Sequence, residues 1–466
     1  MKKRILAFLC ILLYYSSSLA APAYAGSVNN AGAWPEGPDV YAEAAIVMET
    51  STGLILYEKN INEPHYPASI TKILTVLVAL ENSSLGEVVT VSRDAVFNVD
   101  PNSSRIWIDV GEQFTMQQCL YAILLESAND VSYAVAEHVG GTMEAFVEMM
   151  NERAKTLGCL NSNFVNPHGL HDENHYTTAY DMALITREAM KNETFRKIFS
   201  TRTYQIPPTN IQPEIRYFAN HHRFVLKQDF FYDDCIGGKT GYTTKSKYTL
   251  VTAAKRGDLE LICVIMRDDS NSHQYTDTQK LLDFGFENFS IYPIVDLENS
   301  DVLRESPFFT RYNSMLNISN TSILMDENGY LVLPNSASFE DAKKEVSFFP
   351  TSGSEEEGSA IGAISYTYNG KYVGGADIFF DNTEKPSLFH KEKAPDITSP
   401  TPVKTAPEKS GGYFRPVIIG IIVGLFVLII GLYFVLVERP RLKRRSVYYK
   451  KKAERRSFKD DDFMNL

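Results

Sequence analysis

Three short polar motifs follow one another along this 466-residue chain: Ser69-Ile70-Thr71-Lys72, Ser127-Ala128-Asn129 and Lys239-Thr240-Gly241. Together they hold what acyl transfer needs without a histidine. Ser69 is a candidate nucleophile, Lys72 a base for its proton, Ser127 a proton relay and Asn129 a hook for a substrate amide. Lys239 and Thr240 offer a cation and a hydroxyl to a carboxylate, and Gly241 lets a substrate backbone approach closely. The next amide, that of Tyr242, is placed to join Ser69 N–H in holding an oxyanion.

The elements around these motifs must bring them together. Pro67-Ala68 precedes the serine, and Ile70, Ile73, Leu74, Leu77 and Val78 follow at helical spacing. A proline there favours a helix start, so Ser69 falls in or just before the first turn. Positions i and i+3 share a face, which sets the Lys72 amine beside the Ser69 hydroxyl. So apolar a helix is expected to be buried, and burial disfavours an ammonium; a neutral Lys72 can then serve as base. Ser127 lies 58 residues on, at a break between two helical stretches, and Lys239 another 112 residues on, ahead of a strand pair.

Strands are predicted at both ends of this region. Tyr41 to Met48 and Gly53 to Glu58 read as one pair, and Tyr248 to Lys255 with Leu259 to Met266 as a hairpin around Arg256-Gly257-Asp258. With mostly helical sequence between residues 69 and 195, the expectation is a mixed α/β (α+β) domain over residues 40–290, its antiparallel sheet flanked by helices. Residues 291–381 shift to short strand-like pieces, such as Tyr330 to Leu333 and Tyr372 to Phe380, and read as a small all-β domain. Residues 382–412, rich in Pro, Lys, Thr and Ser, read as a flexible linker.

Both ends carry membrane signals. Residues 1–25 have a basic start, an apolar stretch and Ala23-Tyr24-Ala25, the pattern of a cleaved signal peptide. Residues 417–437 are an unbroken apolar run, roughly 31 Å as a helix and about one hydrocarbon core thick. The basic tail at 438–466 is expected on the cytoplasmic side, which places the rest outside a cell membrane as a single-pass protein. The chain carries −11 overall; setting aside +3 from the leader and +6 from the tail leaves about −20 on the exported part. So acidic a surface argues against nucleic acid as a partner. Cys119, Cys159, Cys235 and Cys263 lack metal or redox spacing, and no cofactor is called for.

In this order the three motifs resemble the serine, Ser-x-Asn and Lys-Thr-Gly set of penicillin-binding proteins and class A β-lactamases. Pro67 to Lys72, Asn166-Pro167-His168-Gly169-Leu170, Thr178-Ala179-Tyr180-Asp181 and Gly238 to Thr243 look more closely like the D-alanyl-D-alanine carboxypeptidases, the low-molecular-mass penicillin-binding proteins. The resemblance covers residues 40–290 well and the following β segment loosely. It implies a penicillin-binding-protein fold and an acyl-enzyme on Ser69, with loss of the terminal D-alanine from peptidoglycan stem peptides. Lys72 would take the serine proton, Ser127 would protonate the leaving amine, and Lys239 and Thr240 would hold the terminal carboxylate. β-Lactams would acylate the same serine.

Two departures accompany the resemblance. Where the family commonly has an arginine, seven residues before Leu281-Leu282, this chain has Gln274; either Arg267 substitutes or carboxylate recognition is weaker. The family's amphipathic C-terminal anchor is replaced by the apolar run at 417–437. A β-lactamase would need a glutamate to activate its deacylating water, and the region around Asn166 offers only Glu173. A non-catalytic penicillin-binding sensor would need a signalling domain, for which the tail is too short. His168, His171 and His175 have a metal-like spacing, but Gly169, Asp172 and Asn174 between them mark a loop, and the His-Glu-x-x-His order of a zinc helix is absent.

Overall fold

Strand β1 (Ala44–Glu49) is buried along its whole length, so both faces of its sheet must be covered. A computed structural model describes residues 33–227, 229–298, 322–349 and 360–381. In it β1 pairs with β2 (Ile55–Lys59) and, on its other side, with the hairpin predicted near the end of the region. Two short pairs intervene in the chain, β3 (Val88–Thr90) with β4 (Gln113–Thr115) and β5 (Thr203–Ile206) with β6 (Arg216–Ala219). Then come β7 (Cys235–Thr243), β8 (Lys247–Arg256) and β9 (Leu259–Asp268). The antiparallel order is β2-β1-β9-β8-β7, which leaves the Lys239 strand on an edge.

Period-two alternation sorts this sheet's side chains onto two cores. Ile46, Met48, Val251, Ala253, Ile262 and Val264 face a helical layer that includes Lys72–Asn82, Met116–Leu125 and Asn129–Gly140. Val47, Leu250, Leu261, Cys263 and Ile265 face the helix His273–Asn288, through Leu281, Leu282 and Phe284. Every residue from Lys72 to Ala79 is buried, so the helix that follows Ser69 runs through the middle of the first core.

Residues 289–381 form a second antiparallel sheet from β10 (Phe289–Pro293), β11 (Ser322–Met325), β12 (Tyr330–Pro334), β13 (Lys343–Phe348), β14 (Gly362–Tyr368) and β15 (Lys371–Asp381). Its first strand begins two residues before the expected boundary and follows the helix His273–Asn288 without a linker. This sheet packs on the first one. Leu331, Leu333, Ile364 and Ile378 share one apolar cluster with Leu250, Leu261 and Tyr275 of the first sheet and its helix. The described residues fall within one compact unit ending at Pro386.

The signal peptide, linker, membrane run and basic tail lie outside the described residues. Among the described residues no helix is long and apolar enough to cross a membrane.

Candidate active site

Ser69 sits in a single 3-10 turn, Ala68–Thr71, that leads directly into the helix Lys72–Asn82. The entry is tight. Ala68 has φ +50°, a left-handed conformation that an alanine adopts only when its surroundings impose it. Those surroundings are visible. Thr249 Oγ1 of β8 donates to Pro67 O at 2.8 Å, and Thr71 Oγ1 donates to Ala68 O at 2.8 Å. His175 Nδ1 accepts from Val165 N–H, so its proton is on Nε2, which donates to Thr71 Oγ1 at 2.9 Å. Burial lowers the His175 imidazole to about 4, in keeping with a neutral ring in this chain of donors.

The loop Asn166–Leu170 braces the same turn from the other side. Asn166 Oδ1 accepts from Gly169 N–H at 2.7 Å, and its Nδ2 donates to Leu170 O at 3.0 Å. Thr75 Oγ1 donates to Pro167 O at 2.6 Å. Gly169, at φ +81°, packs so closely that a Cβ there would lie 1.8 Å from Ala68 O; only glycine fits. The braced loop points the His168 carbonyl at the Lys72 amine.

Lys72 Nζ, fully buried, has three neighbours: Ser69 Oγ at 3.1 Å, Asn129 Oδ1 at 2.6 Å and His168 O at 2.6 Å. Two are acceptors only, and a neutral amine has two hydrogens to satisfy them. Its lone pair is then left for the Ser69 hydroxyl. Burial pushes the Lys72 amine well below its ordinary range, the Lys239 charge pushes in the same direction, and Asp130 opposes both.

Ser127 occupies the break between the helices Met116–Leu125 and Asn129–Gly140, at φ +59°. Asn129 opens the second helix, and its N–H donates to Ser104 O at 2.8 Å. Next to it, buried Asp130 accepts from the backbone N–H groups of Ile106, Trp107 and Ile108 at 3.3, 3.0 and 3.4 Å. Residues 104–108 are therefore tied to the same helix start as Asn129.

On the edge strand β7, Lys239 Nζ donates to Ser127 Oγ at 3.1 Å and to Thr240 O at 2.9 Å. A Cβ on Gly241 would stand 2.9 Å from Ser69 N, so β7 runs alongside the Ser69 backbone. Tyr242 is the first exposed residue beyond, its ring against Tyr248. Burial lowers the Lys239 amine to about 7, and the Glu126 carboxylate opposes that shift. Burial works to raise Glu126, but hydrogen bonding from His221 and from Ala219 N–H outweighs it and holds the carboxyl below its usual range.

The structure thus brings Ser69, Lys72 and Asn129 into one hydrogen-bonded group and Ser127 with Lys239 into a second, adjacent in the chain at residues 127–129, with Thr240, Gly241 and Tyr242 on the strand that runs beside Ser69. The two candidates for a missing arginine fare differently. Arg267 donates to Glu43 Oε1 at 2.8 Å at the surface, and Gln274 is 2% exposed with its amide nitrogen on Asn271. The histidines serve the framework: His168 through its carbonyl, His175 through Thr71, and His171 edge-on to Tyr66. Among the described residues no group of three or more His, Cys, Asp or Glu could hold a metal ion. Sequence reasoning missed the His168 carbonyl, Asp130 and the Glu126–His221 pair. The Asn166–Leu170 stretch stood out, but no side chain in it signals that a carbonyl does the work.

Known proteins are similar to this chain in sequence and fold. A family model described as D-alanyl-D-alanine carboxypeptidase matches residues 31–270. The carboxypeptidase DacF of Bacillus subtilis is 36% identical over 255 residues, 54% of this chain and 64% of that protein, just under two thirds of its length. The solved structure of penicillin-binding protein 5 from Haemophilus influenzae is 25% identical and covers 75% of this chain and 98% of its own, with a TM-score of 0.58. A Streptomyces DD-transpeptidase structure is 30% identical over 54% of this chain and all of its own, with a TM-score of 0.51. With the family match spanning more than half of its residues, and the serine–lysine cluster inside that span, this chain belongs to the D-alanyl-D-alanine carboxypeptidase family of serine peptidases.

Proposed function

We propose that the chain removes the terminal D-alanine from peptidoglycan stem pentapeptides through an acyl-enzyme on Ser69. The observation that carries this reading is the Lys72 amine, buried, with two acceptors for its hydrogens and Ser69 Oγ 3.1 Å away, within reach of a neutral amine's lone pair. Neutral Lys72 takes the Ser69 proton as Oγ attacks the carbonyl between the two D-alanines. The oxyanion forms at the N-terminus of a helix, between Ser69 N–H and Tyr242 N–H. Asn129 aligns the substrate amide, while Lys239 and Thr240 hold the terminal carboxylate. Ser127, hydrogen-bonded to Lys239 Nζ, hands a proton to the departing amine. Water then hydrolyses the ester. β-Lactams enter as strained mimics of the same dipeptide and acylate the same oxygen.

Deacylation separates this reading from a β-lactamase. Of the carboxylates next in sequence to the site residues, Asp130 is occupied by backbone amides and Glu126 by His221 and Ala219 N–H. Incubated with a stem pentapeptide, the full-length chain is expected to release free D-alanine, measured by a D-amino-acid oxidase assay. Rapid penicillin hydrolysis with the peptide left intact would establish the β-lactamase instead.

We also infer that the leader exports the catalytic body and that residues 417–437 anchor it in the cell membrane, with the tail inside. Ending the chain after residue 412 is expected to move the penicillin-labelled protein from the membrane pellet to the supernatant. A truncated chain that still pellets with membranes would refute the anchor.

A further inference from the structure

Among the described residues, eight other than glycine adopt a positive φ, and three of them adjoin the cluster: Ala68, Ser127 and Trp107. The first two shape the nucleophile's turn and the proton relay. Trp107, at φ +60°, has no role in the chemistry above. A bulky side chain in this region costs roughly 1–2 kcal/mol, so its surroundings must impose it.

The imposition is specific. Trp107 N–H donates to Asp130 Oδ2 at 3.0 Å, and the flanking amides of Ile106 and Ile108 share that carboxylate. Ile106 and Ile108 are buried on either side, yet Trp107 is 65% exposed. The Arg105 guanidinium lies under its ring, 5.2 Å from the centroid, and donates in turn to Val96 O and Val99 O. The indole is thus presented outward on a rigid base that starts at the residue after Asn129. It adds little to the core, and an exposed aromatic held in a strained conformation by the carboxylate next to Asn129 is what a substrate platform requires.

We propose that Trp107 binds the part of the stem peptide that precedes D-Ala-D-Ala, packing its indole against amide planes and aliphatic side chains. The inference rests on the carboxypeptidase reading and extends it to substrate length. Binding energy gathered away from the scissile bond is expressed as rate on long substrates and is absent for short ones.

Trp107→Gly tests this cleanly, because glycine adopts φ +60° without strain and the change deletes only the indole. The readout is kcat/KM for a full stem pentapeptide relative to that for N-acetyl-D-Ala-D-Ala, measured on the parent and the variant. The ratio is expected to fall about tenfold, with Ser69 still labelled by fluorescent penicillin in both proteins. A ratio unchanged within about twofold overturns the assignment. Loss of penicillin labelling in the variant also overturns it, since the loop would then be supporting the pocket. If the parent releases D-alanine from neither substrate, the carboxypeptidase reading falls and this one with it.

Discussion

A chain carrying Ser69→Ala is expected to form no covalent adduct with fluorescent penicillin and to release D-alanine at least ~10⁴-fold more slowly than the parent, the scale of loss when an activated serine is removed. The site holds two serine–lysine pairs with the same 3.1 Å spacing, Ser69 with Lys72 and Ser127 with Lys239. Distance alone does not choose between them. Charge does. Each lysine has a supporting carboxylate, Asp130 for Lys72 and Glu126 for Lys239, but Lys72 alone also faces the repulsion of the other ammonium. The first proton to leave the pair is therefore that of Lys72, which makes Ser69 the oxygen beside a base. Ser69 is also the more open of the two, and it alone stands at the start of a long buried helix.

The fold should survive this substitution. Among its described contacts the Ser69 hydroxyl has one side-chain partner, Lys72, and alanine leaves no cavity, so the expected stability change is about 1 kcal/mol. Lost labelling in a protein that melts like the parent would then report on the nucleophile. A penicillin adduct that persists and maps by peptide mass to Ser127 would transfer the role.

Much of this arrangement was legible because it is local. Ser69 and Lys72 share a face through helical spacing, and the β8–β9 hairpin follows from alternation around Arg256-Gly257-Asp258. The apolar run after Ser69 implied burial, and burial implied an unusual lysine. What stayed hidden depends on distant chain meeting. The His168 carbonyl reaches Lys72 across 96 residues, and Thr249 grips Pro67 across 182. No periodicity encodes either. The positive φ values at Ala68, Ser127 and Trp107 were hidden for the same reason, since none is a residue that announces a left-handed turn. Tyr330 to Leu333 and Tyr372 to Phe380 lie in strands as expected, but their sequence gives no sign that their inner face completes the core beneath β8 and β9.

Lys72→Met carries the second large effect. The thioether matches the lysine in length but supplies neither proton acceptor nor donors, so acylation of Ser69 is expected to slow by ~10³-fold, within the range for a general base. It also strands Asn129 Oδ1 and His168 O, at about 1–3 kcal/mol for each buried acceptor left alone, so a lower melting temperature is expected. The pH profile separates the two consequences. In the parent, kcat/KM should rise as Lys72 loses its proton, because only the neutral amine accepts from Ser69. It should fall again near pH 7, where free Lys239 loses the charge that holds the substrate carboxylate. A bound carboxylate favours protonated Lys239, so the descending limb should stand at higher pH in kcat than in kcat/KM. In Lys72→Met the rising limb should vanish. Lys72→Arg should not restore it, since a guanidinium stays protonated throughout this range. A variant that keeps the rising limb while losing only stability would reduce Lys72 to a structural prop and leave Ser69 without its base.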